Sequence, residues 1–113
     1  VYAVVDRELI VRVLNNLIKN AQQAMPEDRK ALIEVAVNEQ KGKLIISVKD
    51  NGTGIPEDKK DKIFEPSFTT KSTGMGMGLA IVQTIVEGLE GKIWFESEVD
   101  VGTTFFIQFN KAE

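Results

Sequence analysis

Apolar residues recur at three- and four-residue intervals in two segments of the chain, which predicts two amphipathic helices. The first helix follows Asp6, a suitable N-cap, and continues to about Met25, where Pro26 ends it. The second runs over residues 76–89, and Gly91 ends it. The core-facing positions are Ile10, Leu14, Leu17, Ala21 and Ala24 on the first helix, and Leu79, Val82, Val86 and Leu89 on the second.

Five other runs are rich in β-branched, aromatic and aliphatic residues, which predicts strands. They cover residues 1–5, 32–37, 44–49, 92–96 and 104–109. Residues 38–43 contain a glycine and predict a hairpin loop, and residues 100–102 predict a turn. Residues 57–64 follow Pro56 and predict a short polar helix. Residues 66–77 have little apolar periodicity and predict a mobile loop. The pattern is typical of an α+β sandwich, an α/β fold with helices on one face of a mixed, mostly antiparallel sheet.

Length and composition favour one domain over residues 1–113. A chain of 113 residues with 42% hydrophobic residues can bury a single ordinary core. The net charge of -3 comes from scattered acidic and basic residues, so nucleic acid is not the expected partner. No apolar run approaches the roughly 20 residues of a membrane helix, so we expect a soluble, cytoplasmic domain without membrane contact. Because the chain opens directly on a strand, we expect a further strand or domain to precede it.

Two residue types are absent, and both absences restrict the chemistry. Without cysteine the chain has no disulfide, no thiolate metal site and no cysteine nucleophile. Without histidine it lacks the usual general base and the usual phosphorylated residue of a phosphorelay. Any reaction that needs a histidine must therefore obtain it from another domain.

Three segments contain candidate binding residues, and the first lies on the first helix. Asn16 and Asn20 are four residues apart, with Gln23 on the same flank. Side-chain carbonyls at that spacing can reach one cleft and ligate a hard cation such as Mg²⁺, which keeps waters and substrate phosphates as its other ligands. The alternative is that these side chains are simply solvated, as expected for Asn15 and Gln22 on the far side.

The second segment is the sequence DNGTG at residues 50–54, which follows a predicted strand. A buried Asp50 carboxylate can accept a hydrogen bond from the exocyclic amine of adenine, and Gly52 and Gly54 allow the backbone to approach a planar base. A simple Asp-Asn-Gly turn is the alternative explanation.

The third segment is GMGMGL at residues 74–79, which leads directly into the second helix. Unobstructed amides at a helix N-terminus bind phosphate, and Lys71 just before them can add a point charge. A flexible hinge is the alternative. The segment is not a Walker loop, because no Gly-Lys-Ser/Thr follows.

The order of these segments resembles the GHKL superfamily, which includes histidine kinases, the ATPase subunit of DNA gyrase, a class of heat-shock chaperones and the mismatch-repair ATPases. Residues 16–21 (NLIKNA) resemble its N box, and residues 50–54 its first glycine box. Residues 64–71 (FEPSFTTK) resemble its F box, residues 74–79 its second glycine box, and residues 102–105 (GTTF) its last glycine-containing segment. The F box and the short segment after it are similar to those of sensor histidine kinases. The resemblance implies the Bergerat fold with a mobile ATP lid.

Carried over by position, the resemblance implies that Asn16, Asn20 and Lys71 serve catalysis and that Asn20 binds Mg²⁺. Asp50 would bind the adenine amine, and Thr103 the adenine edge. The nucleotide-binding set is Asn20, Gln23, Asp50, Gly52, Gly54, Ile55, Lys71, Thr73, Gly74, Met75, Gly76, Met77, Gly78, Leu79 and Thr103. Many family members continue the N box with lysine and an aromatic residue, whereas this chain has Gln23 and Ala24.

The resemblance also implies the reaction and its partners. Members that hydrolyse ATP, and related serine kinases, have a glutamate base four residues before the magnesium asparagine, where this chain has Asn16. We therefore expect transfer of the ATP γ-phosphate to a histidine of a separate dimerisation and phosphoacceptor domain, and from there to the receiver domain of a response regulator. The isolated domain is expected to be a monomer and the full-length kinase a homodimer. An ATPase or serine kinase of the same fold, or a degenerate docking domain, are the alternatives.

Overall fold

The computed structural model describes residues 7–65 and 78–110, which form two α-helices, one short 3-10 helix and four strands. In chain order these are α1 (Arg7–Gln23), β1 (Ile33–Gln40), β2 (Lys43–Asp50), the 3-10 helix (Glu57–Lys59), α2 (Gly78–Gly88), β3 (Lys92–Glu98) and β4 (Gly102–Asn110). The predicted strand at residues 1–5, the Asp6 cap and the predicted loop at residues 66–77 lie outside the described residues.

The four strands form one sheet in the order β1-β2-β4-β3, and every pairing among them is antiparallel. The two hairpins β1-β2 and β3-β4 are joined edge to edge through β2 and β4. Helix α2, which precedes β3, packs against α1 on one side of this sheet. The predicted α+β architecture is therefore confirmed.

The core lies between the helices and one face of the sheet. Alternate residues of β2 and β4 point into it, which follows from the period of two along a strand. The helices close it with residues three or four positions apart. The predicted stripe on α1 omitted Val13, which is completely buried. The buried hydrophobic residues are Val13, Leu17, Ala21, Ile46, Val48, Ile63, Leu79, Val82, Val86, Phe105, Ile107 and Phe109.

Two predicted connections were wrong in length or type. The first hairpin has a two-residue turn, Lys41-Gly42, rather than a loop over residues 38–43, because the strands continue to Gln40 and Lys43. Both turn residues have positive φ, the conformation that matches the twist of a tight hairpin. The predicted helix at residues 57–64 is only the 3-10 helix Glu57–Lys59 followed by turns.

The end of α2 also differs from the prediction that Gly91 would terminate it. Glu90 takes the left-handed conformation with φ of 62°. The Gly91 N–H donates to the Val86 carbonyl (2.9 Å) and the Glu90 N–H donates to the Glu87 carbonyl (3.0 Å). These are the two bonds of a Schellman motif, which satisfies carbonyls that the helix leaves open.

The segment after the 3-10 helix is held to the sheet by aromatic contacts. Phe64, the first residue of the predicted F box, packs edge on against Phe95 and Phe105. The distances between ring centroids are 6.1 and 6.4 Å. Such pairs contribute about 0.5–1.5 kcal/mol each beyond burial. In residues 7–65 and 78–110, neither helix has the length and apolar character of a membrane span.

Candidate functional site

Three polar side chains form a row at one end of the inner face of the sheet. Thr103 on β4 is paired with Asp50 on β2 and with Ser97 on β3. Asp50 and Thr103 are buried, with exposed fractions of 4% and 5%. The next row inward is apolar and consists of Val48, Phe105 and Phe95. Polar groups this deep require hydrogen-bond partners, which marks this end of the sheet as a candidate site.

Asp50 is held by two backbone amides. Its Oδ1 accepts hydrogen bonds from the N–H of Gly52 at 2.8 Å and of Thr103 at 3.3 Å. Burial raises the pKa of the Asp50 carboxyl above its ordinary value, although the two hydrogen bonds oppose the rise. Both of these bonds reach the same oxygen of the carboxylate.

Ser97 connects Thr103 to the chain that follows β2. Its Oγ accepts a hydrogen bond from the Ile55 N–H at 2.8 Å and lies 2.8 Å from the Thr103 hydroxyl. It also lies 3.1 Å from the Gly102 carbonyl. Ser97 was not among the site residues predicted from the sequence. The alternation Ile93, Phe95, Ser97 along β3 could have placed it on the inner face, but not beside Thr103.

The two glycines after Asp50 are required by the chain's own packing. A Cβ on Gly52 would lie 2.7 Å from the Ala24 carbonyl oxygen, and one on Gly54 would overlap the carbonyl of Glu98. Thr53 between them donates to the Ala24 carbonyl at 3.0 Å. The absent side chains therefore allow this segment to fit between the end of α1 and the turn after β3. Whether they also face a base, as the sequence predicted, stays a prediction.

Arg29 and Asn51 join this segment to the loop after α1, and neither role was predicted from the sequence. The Arg29 guanidinium donates to the carbonyl of Asn51 and, at 2.8 Å, to that of Gly52. The Asn51 amide accepts from the Leu32 N–H and donates to the Lys30 carbonyl, each at 2.9 Å. Nothing local in residues 26–31 indicates such a contact, because its partner lies more than 20 residues away.

We expect Arg29→Met to lower the free energy of unfolding by about 1–3 kcal/mol, because two carbonyls lose a charged donor while the apolar stem is largely kept. Urea unfolding followed by circular dichroism measures the change. Arg12→Met is the matched control, since Arg12 is exposed on α1. Equal stability of the two variants would show that the Arg29 contacts are not stabilising.

The predicted residues of α1 lie next to this segment. Asn16, Asn20 and Gln23 are half-buried, whereas Asn15 and Gln22 are exposed. The Ala24 N–H donates to the Asn20 carbonyl at 3.1 Å, so Asn20 lies one helical turn, about 6 Å, before the contact between Ala24 and Gly52. These contacts put the helix that contains the N-box residues beside the Asp50 segment, and the roles of Asn16, Asn20 and Gln23 stay predictions.

The remaining predicted residues divide into two groups. The Ile55 N–H is bound to Ser97. The Leu79 side chain is in the hydrophobic core, so only the backbone of Leu79 could contact a ligand. Gly78 is the first described residue of α2. Lys71, Thr73, Gly74, Met75, Gly76 and Met77 lie outside the described residues.

Comparison with known proteins shows the family to which this chain belongs. Residues 5–113 match the family described as histidine kinase-, DNA gyrase B-, and HSP90-like ATPase. The chain belongs to this family, so the predicted GHKL relationship is confirmed.

The relatives are sensor histidine kinases. The chain is 42% identical over 105 residues to sensor histidine kinase TmoS of Ectopseudomonas mendocina, covering 93% of this chain and 11% of that protein. It is 38% identical over 106 residues to sporulation kinase A of Bacillus subtilis, covering 94% of this chain and 17% of that protein. The chain thus spans less than a fifth of the length of these relatives.

The solved structures agree with the sequence relatives. The nucleotide-free catalytic domain of histidine kinase ThkA superposes with a TM-score of 0.82 at 40% identity, covering 95% of this chain and 69% of that chain. A mycobacterial sensor histidine kinase, MprB, superposes with a TM-score of 0.84 at 23% identity, which supports the fold alone. The chain is an ATP-binding domain homologous to the catalytic domains of sensor histidine kinases.

Proposed function

We propose that this domain binds Mg·ATP and donates the γ-phosphate to a histidine on a separate dimerisation and phosphoacceptor domain. The observation that carries the proposal is the buried Asp50 carboxylate, which ends an apolar sheet face beside the Thr103 hydroxyl. A buried carboxylate in such a position can accept a hydrogen bond from the exocyclic amine of adenine.

The position of α1 supports an extended nucleotide that runs from Asp50 along this helix. Asn20 lies about one turn, and Asn16 about two turns, from the end of α1 that contacts Gly52. The two amides share a face, and their oxygens suit Mg²⁺. Asn20 would hold the metal, and Asn16 would support the phosphates. Bound Mg²⁺ would neutralise phosphate charge.

The phosphate end of the nucleotide would extend toward the second glycine box. Lys71 and the amides of Gly76 to Gly78 would hold the β- and γ-phosphates, with the remaining predicted contacts from Thr73 to Leu79. Such a site acts by positioning and charge neutralisation, which suffice for phosphoryl transfer. Asn16, an amide rather than a carboxylate, cannot act as a base that activates water.

The phosphoacceptor would come from another domain, because this sequence contains no histidine. We infer that the partners are the dimerisation domain of the same kinase and, downstream, the receiver domain of a response regulator. The isolated chain should therefore bind ATP without phosphorylating itself. Steady ATP hydrolysis by the isolated chain would instead favour the ATPase alternative.

Titration calorimetry with ADP and a non-hydrolysable ATP analogue, with and without Mg²⁺, tests the first part of the proposal. A histidine-containing domain added with ATP then tests transfer. If the folded chain bound neither nucleotide, the kinase proposal would fail for this domain and a docking role would be the better hypothesis.

We expect Asn20→Ala to remove most of the affinity gained from Mg²⁺, about 10-fold or more, because the metal loses its ligand from the chain. Calorimetry of the ATP analogue at two Mg²⁺ concentrations measures this. Asn15→Ala is the matched control, since Asn15 is exposed on the same helix. An equal Mg²⁺ dependence in both variants would exclude Asn20 as a ligand.

A further inference from the structure

The Ser97 hydroxyl meets three partners at once, which restricts the position of its proton. A serine hydroxyl has one proton and two acceptor lone pairs. The Ile55 N–H can only donate, so it occupies one lone pair of Ser97. The Gly102 carbonyl can only accept, so its contact with Ser97 requires the single proton.

The contact between Ser97 and Thr103 then has a defined direction. Either hydroxyl could donate across their 2.8 Å separation if this pair were alone. Because the Ser97 proton is directed to Gly102, the Thr103 hydroxyl must donate to the remaining lone pair of Ser97. This is the one assignment that satisfies all three contacts.

We propose that Ser97 is a positioning residue of the nucleotide site, which draws the Thr103 proton toward β3 and leaves Thr103 Oγ1 as a pure acceptor beside Asp50. The inference rests on the proposed binding of an adenine nucleotide at this site. The row then offers two neighbouring acceptors, the Asp50 carboxylate and the Thr103 oxygen, to one edge of a ligand.

Two acceptors select a base edge that carries donors. The exocyclic amine of adenine has two N–H groups, so it can donate to both acceptors. Hypoxanthine has a carbonyl oxygen at that position, and this oxygen offers no proton to either acceptor. Unpaired polar groups of this kind are strongly rejected. Ser97 therefore contributes to the choice of base without touching it.

Further contacts keep Ser97 in this arrangement. The Lys60 ammonium donates to the Ser97 carbonyl at 3.1 Å and is paired with Glu57 at 2.7 Å. The Thr103 N–H donates to Asp50 Oδ1, which holds the Thr103 backbone beside the carboxylate. The serine is thus held at the backbone while its hydroxyl sets the direction of the Thr103 hydrogen bond.

Calorimetric affinities for ADP and inosine diphosphate, measured on the 113-residue chain, test the proposal. In Ser97→Ala the Thr103 hydroxyl is free to turn and donate to the inosine oxygen. We expect the preference for ADP to fall by about 3- to 10-fold, the value of one hydrogen bond. Ser97→Thr retains a hydroxyl and should restore the preference. Ser47→Ala, on the outer face of the same sheet, should leave it unchanged.

If Ser97 had a purely structural role, Ser97→Ala would weaken the binding of both nucleotides by the same factor. An unchanged preference for ADP in folded Ser97→Ala would overturn the role of Ser97 but not the proposed function. If that variant did not fold, Thr103→Val would decide, with Thr104→Val as control. If Thr103→Val lost more affinity for ADP than for inosine diphosphate, the result would support Thr103 Oγ1 as an acceptor. The opposite result would overturn that role. A wild-type chain that bound neither nucleotide would overturn the proposed function and this inference together.

Discussion

Asp50→Asn should weaken ADP binding by at least about 100-fold while leaving the domain folded. The asparagine Oδ1 can still accept from the N–H groups of Gly52 and Thr103, so the local backbone is retained. Its amide nitrogen, however, replaces an acceptor with a donor and faces the donor of the adenine amine. Loss of a charged hydrogen bond and an opposed pair of donors give this magnitude. Calorimetry measures the ADP affinity. An affinity near that of the wild type would show that Asp50 does not bind the adenine amine.

The same substitution should keep or raise the free energy of unfolding at neutral pH. Burial raises the pKa of Asp50, so its charged form is less favourable in the folded chain than in the unfolded chain. Asparagine removes that charge. A variant that lost both binding and several kcal/mol of stability would show that the carboxylate is structural. Thr104→Val, one residue from the row on the outer face, is the control for general damage to the sheet.

The pH dependence of Asp50 has opposite signs for stability and for binding. Its contribution to stability is least favourable above the raised folded pKa and improves as the pH falls toward the ordinary carboxyl value. Binding needs the carboxylate, so ADP affinity should fall as the pH falls through the raised pKa. Calorimetry of ADP and urea unfolding over the acidic range measure both. ADP affinity that stayed constant through the folded pKa would contradict the role of the charge.

Gly54→Ala should lower the free energy of unfolding by about 3 kcal/mol or more. The φ of Gly54 is 75°, a conformation that costs a residue with a side chain about 1–3 kcal/mol. The new Cβ would also overlap the Glu98 carbonyl, and such overpacking costs about 1–3 kcal/mol. This is a large share of the roughly 5–15 kcal/mol that stabilises a typical domain.

Gly88→Ala is the matched control for Gly54→Ala. Gly88 is the last residue of α2, and a Cβ there would meet no atom within 4 Å. Alanine favours a helix over glycine, so this variant should gain up to about 1 kcal/mol. Urea unfolding of the two variants measures opposite changes. If Gly54→Ala were as stable as wild type, the turn after β3 would have to move aside at little cost.

The candidate glycines show how a motif can be recognised before its physical reason is known. The sequence DNGTG placed Asp50 and its glycines correctly at the end of a strand, but it suggested that the glycines serve the base. The structure adds that Gly52 and Gly54 are needed because Ala24 and Glu98 occupy the adjacent space. Those neighbours lie about 28 and 44 positions away along the chain, so no local pattern contains them.

The sequence alone determined the two long helices, the four strands of the described sheet, the family and the position of Asp50. These depend on periodicity and on motifs of a few residues, which a single stretch of chain contains. It also determined that a phosphate-accepting histidine cannot come from this chain. Hairpin length was less predictable, because the polar residues 38–40 read as a loop although their backbone continues the β1-β2 ladder.

The tertiary structure alone decided which side chains meet. The antiparallel registers of β2-β4 and β3-β4 place Asp50, Thr103 and Ser97 in one row, although Asp50 precedes Thr103 by 53 residues. The Arg29 contacts likewise depend on how the loop after α1 folds over residues 51 and 52. Periodicity along a strand shows which face a residue occupies, but strand order and register determine its neighbours. The direction of the Thr103 hydrogen bond follows only from those neighbours.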